Sequence, residues 1–137
     1  MTEKMESKRS WSPEESEEFY KDLLRKALLV IPNSGAVMVA GPMFIIRPPE
    51  ENFALFEEAH TKLKEEGKVV FDQLPFVDYN LPEAPFDYAT KFKVFYQGLM
   101  QSGKISACYL LPDWEQSEGT RTEAQYCKDF GIPIFEL

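Results

Sequence analysis

Four short apolar runs, AVMVAGP from Ala36, KVVFDQL from Lys68, SACYLLP from Ser106 and IPIFEL from Ile132, alternate with segments whose apolar residues recur three and four apart. That alternation constrains the fold more than any other feature. Strands separated by amphipathic helices are joined by right-handed crossovers, so they pair mostly parallel and carry helices on both faces. The chain is therefore expected to form a three-layer Rossmann-like or flavodoxin-like α/β sandwich with about four strands. With 137 residues, 44% of them hydrophobic and 14% aromatic, it has the apolar content for a single core.

Ahead of the first strand, Ser12-Pro13-Glu14-Glu15 carries an N-cap serine, a proline at the first helical position and a glutamate at the third. An added N-terminal helix with the stripe Phe19, Tyr20, Leu23, Leu24, Ala27 and Leu28 is expected to follow, ending at Pro32 to Gly35. The expected organisation is a disordered, charged tail over residues 1–11, this helix and its linker over 12–34, and the α/β domain over 35–137. A crossover helix is expected from about Asn52 to Glu66, with Phe53, Phe56, Ala59 and Leu63 on its apolar face and His60 on its polar, surface side. Pro75 to Pro85 reads as a long irregular loop, a kind of connection that is often functional. Helices over Tyr88 to Ser102 and from about Gly119 to Phe130 complete the pattern.

The net charge of −8 excludes duplex nucleic acid and anionic membrane surfaces, which require a basic face. No apolar run is long enough to cross a bilayer, and no targeting signal is readable. A reducing, cytoplasmic setting is the default expectation. Cys108 and Cys127 read as small buried side chains without metal-ligand spacing. His60, the sole histidine, lacks partners for a triad or a metal site. Neither GxxxxGK[ST] nor GxGxxG occurs, which argues against a P-loop ATPase and a dinucleotide oxidoreductase. No metal or organic cofactor is expected.

The segment most suggestive of chemistry is LLPDWEQSEGTRTE, Leu110 to Glu123, where a strand runs into a polar loop and a helix. Ligands of open α/β sheets bind at the carboxyl ends of strands, which puts Glu123 where a reactive group is useful. A carboxylate near a helix N-terminus is expected to have a lowered pKa and to remain ionised, as suits a nucleophile. Thr120 to Glu123 also fits a capping box, in which Glu123 serves only its own helix. Ser117, Gly119 and Thr120 open that helix and can offer hydroxyls and amides to a phosphate or sugar, or simply cap it. Gly41 and Pro42 end the first strand, where the glycine either borders the same crevice or makes a tight turn. Asp113 and Glu115 read as base-reading groups or solvated charges, Arg47 and Arg121 as phosphate ligands or surface cations, and Trp114 as a pocket wall or a shield for the loop.

AGPM at Ala40 to Met43, NFALFEEAHTKLKEEGKVV at Asn52 to Val70, and LLPDWEQSEGTRTE followed by GIPIFEL resemble the nucleoside 2-deoxyribosyltransferase-like superfamily, and most of all its DUF4406 branch. The resemblance covers about residues 36–137. It implies cleavage or transfer at an N-glycosidic bond, with Glu123 attacking the anomeric carbon and Gly41 beside the sugar. Ser117 stands where the nucleoside-transferring branch has an aspartate, a pattern more like that of the nucleotide N-hydrolases. A nucleoside 5'-monophosphate is thereby favoured over a free nucleoside. Two positions depart from the pattern: Met38 replaces a tyrosine that orients the glutamate, and Ser106 replaces an aspartate. Tyr126 and Tyr79 are the candidate substitutes. The competing expectation is a catalytically silent nucleotide-binding or interaction module. Superfamily members are usually oligomers, which raises a homodimer face on the N-terminal helix and the helix over Tyr88 to Ser102.

Overall fold

The computed structural model describes residues 9–137, so most of the expected tail lies outside the described residues. Four parallel strands, β1 (Ala36–Ala40), β2 (Val70–Phe71), β3 (Ile105–Leu110) and β4 (Ile134–Glu136), form one sheet in the order β2-β1-β3-β4. β1 pairs with β3 over Ala36↔Ile105 to Ala40↔Leu110, with a register shift between Ala36 and Val37. Helices cover both faces, which makes the fold a Rossmann-like three-layer α/β sandwich.

Alternation along β1 assigns the layers. Met38 and Ala40 face a core shared with α1 (Pro13–Val30), the helical stretch over 88–101 and α5 (Glu118–Asp129). Val37 and Val39 face α2 (Pro49–Glu65) on the opposite side. α1 begins as expected: the Ser12 hydroxyl accepts from the Glu15 N–H at 3.1 Å, and the Glu15 carboxylate accepts from the Ser12 N–H at 2.9 Å. Tyr20, Leu23 and Ala27 bury its stripe.

Three elements depart from expectation. α2 starts three residues earlier than Asn52 because Pro49 stands at its first turn, where a missing N–H is harmless. Asn52 is instead buried inside α2 and clamps the preceding loop. Its amide donates to the carbonyls of Ile45 (3.1 Å) and Arg47 (3.0 Å), and its carbonyl accepts from Arg47 Nε at 2.9 Å. β2 shrinks to two residues, Val70 and Phe71, because beyond them the Gln73 side chain replaces the backbone ladder, donating to the Val39 carbonyl at 2.7 Å. The third departure is His60, which is buried rather than on the surface. The stripe of α2 runs Asn52, Phe56, Ala59, His60, Leu63, and burial lowers the imidazole pKa despite Asp72 at 3.8 Å.

The stretch over 88–101 is α3 (Tyr88–Lys91), a π-helical segment (Phe92–Tyr96) and α4 (Gln97–Gln101) in one continuous run. π segments inside helices recur at functional sites. The loop before it is organised by two 3₁₀ turns, Leu74–Phe76 and Asp78–Asn80. Among the described residues, no helix is long and apolar enough to cross a membrane.

At the end of β1, the absence of a side chain at Gly41 is a packing requirement, since a Cβ there would sit 2.7 Å from Leu111 Cβ. Leu111 continues β3 and cannot retreat without moving backbone. Gly41→Ala is therefore expected to destabilise the protein by about 1–3 kcal/mol through overpacking. A urea-denaturation midpoint equal to that of the parent would contradict this account.

Candidate functional site

β1 and β3 are neighbours whose chains leave the sheet in opposite directions, β1 through α2 to β2 and β3 through α5 to β4. A crevice opens at such a switch point. Here it is a cavity of about 430 Å³. Its walls come from the loop after β1, from Val77, from α3 with the π segment, and from the first turns of α5. The volume lies in the range of small-molecule pockets.

Of the residues singled out in the sequence, Gly41, Ser117, Gly119, Thr120 and Glu123 line this cavity together, with Arg121 beside them. Pro42 is buried without lining it. Asp113 is turned to Arg47, with Nη1 and Oδ2 3.3 Å apart, and neither faces the cavity. This pair ties the loop after β1 to the loop after β3. Trp114 packs against the core as a shield for the loop. The Arg121 guanidinium donates to the Glu115 carbonyl.

Ser117 is the N-cap of α5: its hydroxyl accepts from the Thr120 N–H at 3.2 Å and from the Thr120 hydroxyl at 3.0 Å. The capping box proposed for Thr120 to Glu123 therefore does not form. The helix starts at Glu118, and Glu123 lies in its second turn, with no hydrogen bond to its carboxyl among the described residues. Nor is Glu123 held ionised by the helix, whose dipole acts mainly on its first turn. The side chain is 4% exposed, and its pKa is raised to about 8, first by desolvation and then by Cys127, with Lys91 pulling the other way. Glu123 is a buried carboxyl facing a cavity, without the structural partner that would explain it.

The departures noted in the sequence are also placed. Met38 is wholly buried in the core, leaving no tyrosine at that position to touch Glu123. Ser106 lies at the start of β3, exposed and donating to the Ala36 carbonyl at 3.2 Å, away from the carboxyl ends of the strands. Neither substitute donor reaches the cavity lining: Tyr79 packs against Phe44 and Phe53, and Tyr126 is half-buried on α5. Cys108 and Cys127 are both buried, as expected.

The sequence reading missed the cavity's buried cation. Lys91 is 2% exposed and lines the cavity from α3, donating to Asp78 Oδ1 at 2.9 Å and to the Phe76 carbonyl at 2.6 Å. Asp78 comes from the proline-rich loop, and its other oxygen accepts from the Tyr20 hydroxyl of α1. Tyr96 also lines the cavity and donates to Gln73 Oε1 at 2.6 Å. A signal for Lys91 was present: it is a charge lying on the apolar stripe of Phe92, Phe95, Tyr96 and Leu99. No cluster of three or more His, Cys, Asp or Glu that could hold a metal ion occurs among the described residues.

Glu123 holds its proton up to about pH 8 in the folded chain, against an ordinary 4.5. The folded state thus binds the proton more tightly. The stability this provides is fully present below the unfolded pKa and is lost as pH rises through the folded one. Glu123→Gln keeps the shape and removes the titration, so its stability relative to the parent is expected to increase from about pH 5 to about pH 9, by on the order of a few kcal/mol. Urea unfolding at both pH values measures this, and a stability difference independent of pH would refute it.

Neither any curated protein nor any solved structure matches the chain. The family model described as Domain of unknown function (DUF4406) matches residues 35–136, a span that contains all four strands and every cavity-lining residue but not α1. The chain belongs to the DUF4406 family.

Proposed function

We propose that the protein cleaves or transfers at the N-glycosidic bond of a nucleoside or nucleoside 5'-monophosphate, with Glu123 as nucleophile. The observation that carries this reading is the Glu123 carboxyl itself: buried, without a hydrogen-bonding partner among the described residues, and open to a cavity at the switch point of the sheet. Desolvating a carboxyl without compensation is costly, which makes a purely structural role a poor explanation. The likeness of the AGPM and LLPDWEQSEGTRTE segments to the nucleoside 2-deoxyribosyltransferase-like superfamily supports the same chemistry.

In the first step the ionised Glu123 attacks the anomeric carbon, the bond from that carbon to the base breaks, and the base departs with the bonding pair and takes up a proton. The product is a glycosyl ester of Glu123. Water or a second base then attacks the same carbon, the ester C–O bond breaks, and the carboxylate is restored. Ser117, Gly119 and Thr120 at the start of α5, with Arg121, form the pole for a 5'-phosphate, and the sugar lies by Gly41. Gly119 is also demanded by packing, since a Cβ there would meet the Phe92 ring at 2.9 Å. The mechanism calls for no metal or organic cofactor. Asp113 and Pro42 support the loops around the ligand in this reading.

A second reading is a silent nucleotide-binding or interaction module, favoured by Met38, buried in the core, and Ser106, at the far end of β3 from the cavity. Self-association enters either reading through Leu29 and Val30, exposed at the end of α1. The remaining stripes of α1 and of the 88–101 helix are packed into a shared core.

Chromatographic assay of base release from purine and pyrimidine nucleosides and their 5'-monophosphates tests the proposal. Release by the parent is expected to fall on the order of 10⁴-fold in Glu123→Ala. Because the attacking form is the carboxylate, kcat/KM should rise with pH and level off above a midpoint near 8. No release from any substrate, together with a ligand-induced rise in Tm, would establish the silent module instead.

A further inference from the structure

The buried cation that shares a cavity with Glu123 is held in a way that its own ion pair does not explain. Lys91 Nζ has three donors and uses two, one on Asp78 Oδ1 and one on the Phe76 carbonyl. The third has no hydrogen-bond partner among the described residues, although the ammonium lies 5.5 and 5.6 Å from the Phe95 and Tyr96 ring centroids, and it borders the same cavity as Glu123. Asp78 cannot turn to take it. Its Oδ2 already accepts from the Tyr20 hydroxyl and, at 3.1 Å, from the Phe86 N–H. The Tyr20 oxygen in turn accepts from the Asp87 N–H at 3.2 Å. The chain of contacts therefore runs from α1 through Asp78 to a fixed ammonium with one donor unspent.

We infer that Lys91 is the positioning residue for Glu123, and that α1, through the hydroxyl of Tyr20 on Asp78, is a working part of the site. The inference rests on Glu123 as the reacting carboxyl. Lys91 supplies a positive charge for the carboxylate that must form before attack, and its unspent donor holds either that carboxylate or a ligand hydroxyl lying between them. The other titratable and charged groups around Glu123 are Tyr88 and Tyr96 from the helical stretch over 88–101, Cys108 from β3, and Glu118, Arg121, Tyr126 and Cys127 from α5. Cys127 opposes ionisation of Glu123 and Lys91 favours it, while the Arg121 guanidinium is engaged on the Glu115 carbonyl. α1 lies outside the family-matched residues, so this arrangement adds a part that the shared domain does not itself contain.

The test is a pH titration of the full chain followed by NMR, with ¹³C at the glutamate carboxyls and ¹⁵N at the lysine side chains. Glu123→Gln identifies the Glu123 signal. In the unmutated protein the Lys91 ¹⁵Nζ resonance is expected to inflect at the Glu123 midpoint, and Glu123→Gln is expected to abolish that inflection. Lys91→Met should raise the Glu123 midpoint by about one pH unit, a tenfold change in its ionisation constant. Tyr20→Phe should raise it by less. A Lys91 resonance that stays flat through the Glu123 midpoint overturns the inference without requiring any lysine variant to fold. A midpoint unmoved by Tyr20→Phe removes α1 from the site. Base release assayed alongside separates the two claims: no release with a clear inflection rejects the glycosidase reading and keeps the pairing, whereas release with a flat resonance does the reverse.

Discussion

The parallel pairing of β1 with β3 is the constraint from which the rest of the site follows. Because the chain leaves β1 towards β2 and leaves β3 towards β4, the two connections diverge and no loop fills the space above the strand ends. Gly41 and Leu111 set how closely the strand ends approach. The Arg47–Asp113 pair and the Asn52 clamp then hold the two bordering loops in place. Of the three non-glycine described residues with positive φ, Ile46 (φ 76°) and Asp113 (φ 68°) lie in these loops, and Phe86 (φ 56°) lies just ahead of α3. A β-branched residue in the left-handed region is costly, and it persists only where its surroundings over-determine it.

Into this crevice the fold places an ammonium and a carboxyl, Lys91 and Glu123, with almost no access to water. Burying an ammonium against a carboxylate seldom stabilises a fold more than apolar packing does, because desolvation offsets most of the attraction. Burying a further carboxyl without hydrogen bonds adds to that cost. Lys91, Asp78 and Glu123 together are thus an arrangement that stability alone would not select. The network around Asp78 limits the penalty by satisfying its oxygens from Lys91, Tyr20 and the Phe86 backbone. At Glu123 the penalty is left standing, which makes it a candidate functional group.

Much of the fold was legible because it is written in periodicity. The Ser12 capping box, the stripes of α1 and α2 and the four apolar runs each depend on local spacing, and each formed within a few residues of expectation. The candidate site was legible only where it sits on the chain next to such signals: Ser117, Gly119, Thr120 and Glu123 open a helix after a strand. Lys91, Asp78 and Tyr20 come from three separate segments and meet only through tertiary packing, so no local pattern announces them. His60 was misread for a related reason, because an imidazole is amphipathic enough to sit on either face of a helix. The expected lowering of the Glu123 pKa treated the helix dipole as decisive, yet by the second turn that field is weak and desolvation dominates.

Under the proposed function, the same electrostatics constrain how a phosphorylated ligand would be accommodated. A 5'-phosphate adds negative charge to the cavity, and by itself this would push the Glu123 proton affinity higher still, opposing the ionisation that attack requires. The arrangement separates the two demands. The start of α5, with its N-terminal amides and Arg121, faces one part of the cavity, while Lys91 borders it from α3. Phosphate charge would then be met by the helix terminus and guanidinium, leaving the ammonium for the carboxyl. A cavity with only one of these poles would have to choose between binding a phosphate and ionising Glu123. With both, in the proposed reading, the charge that would bind a 5'-phosphate and the charge that would ready Glu123 come from different elements of the fold.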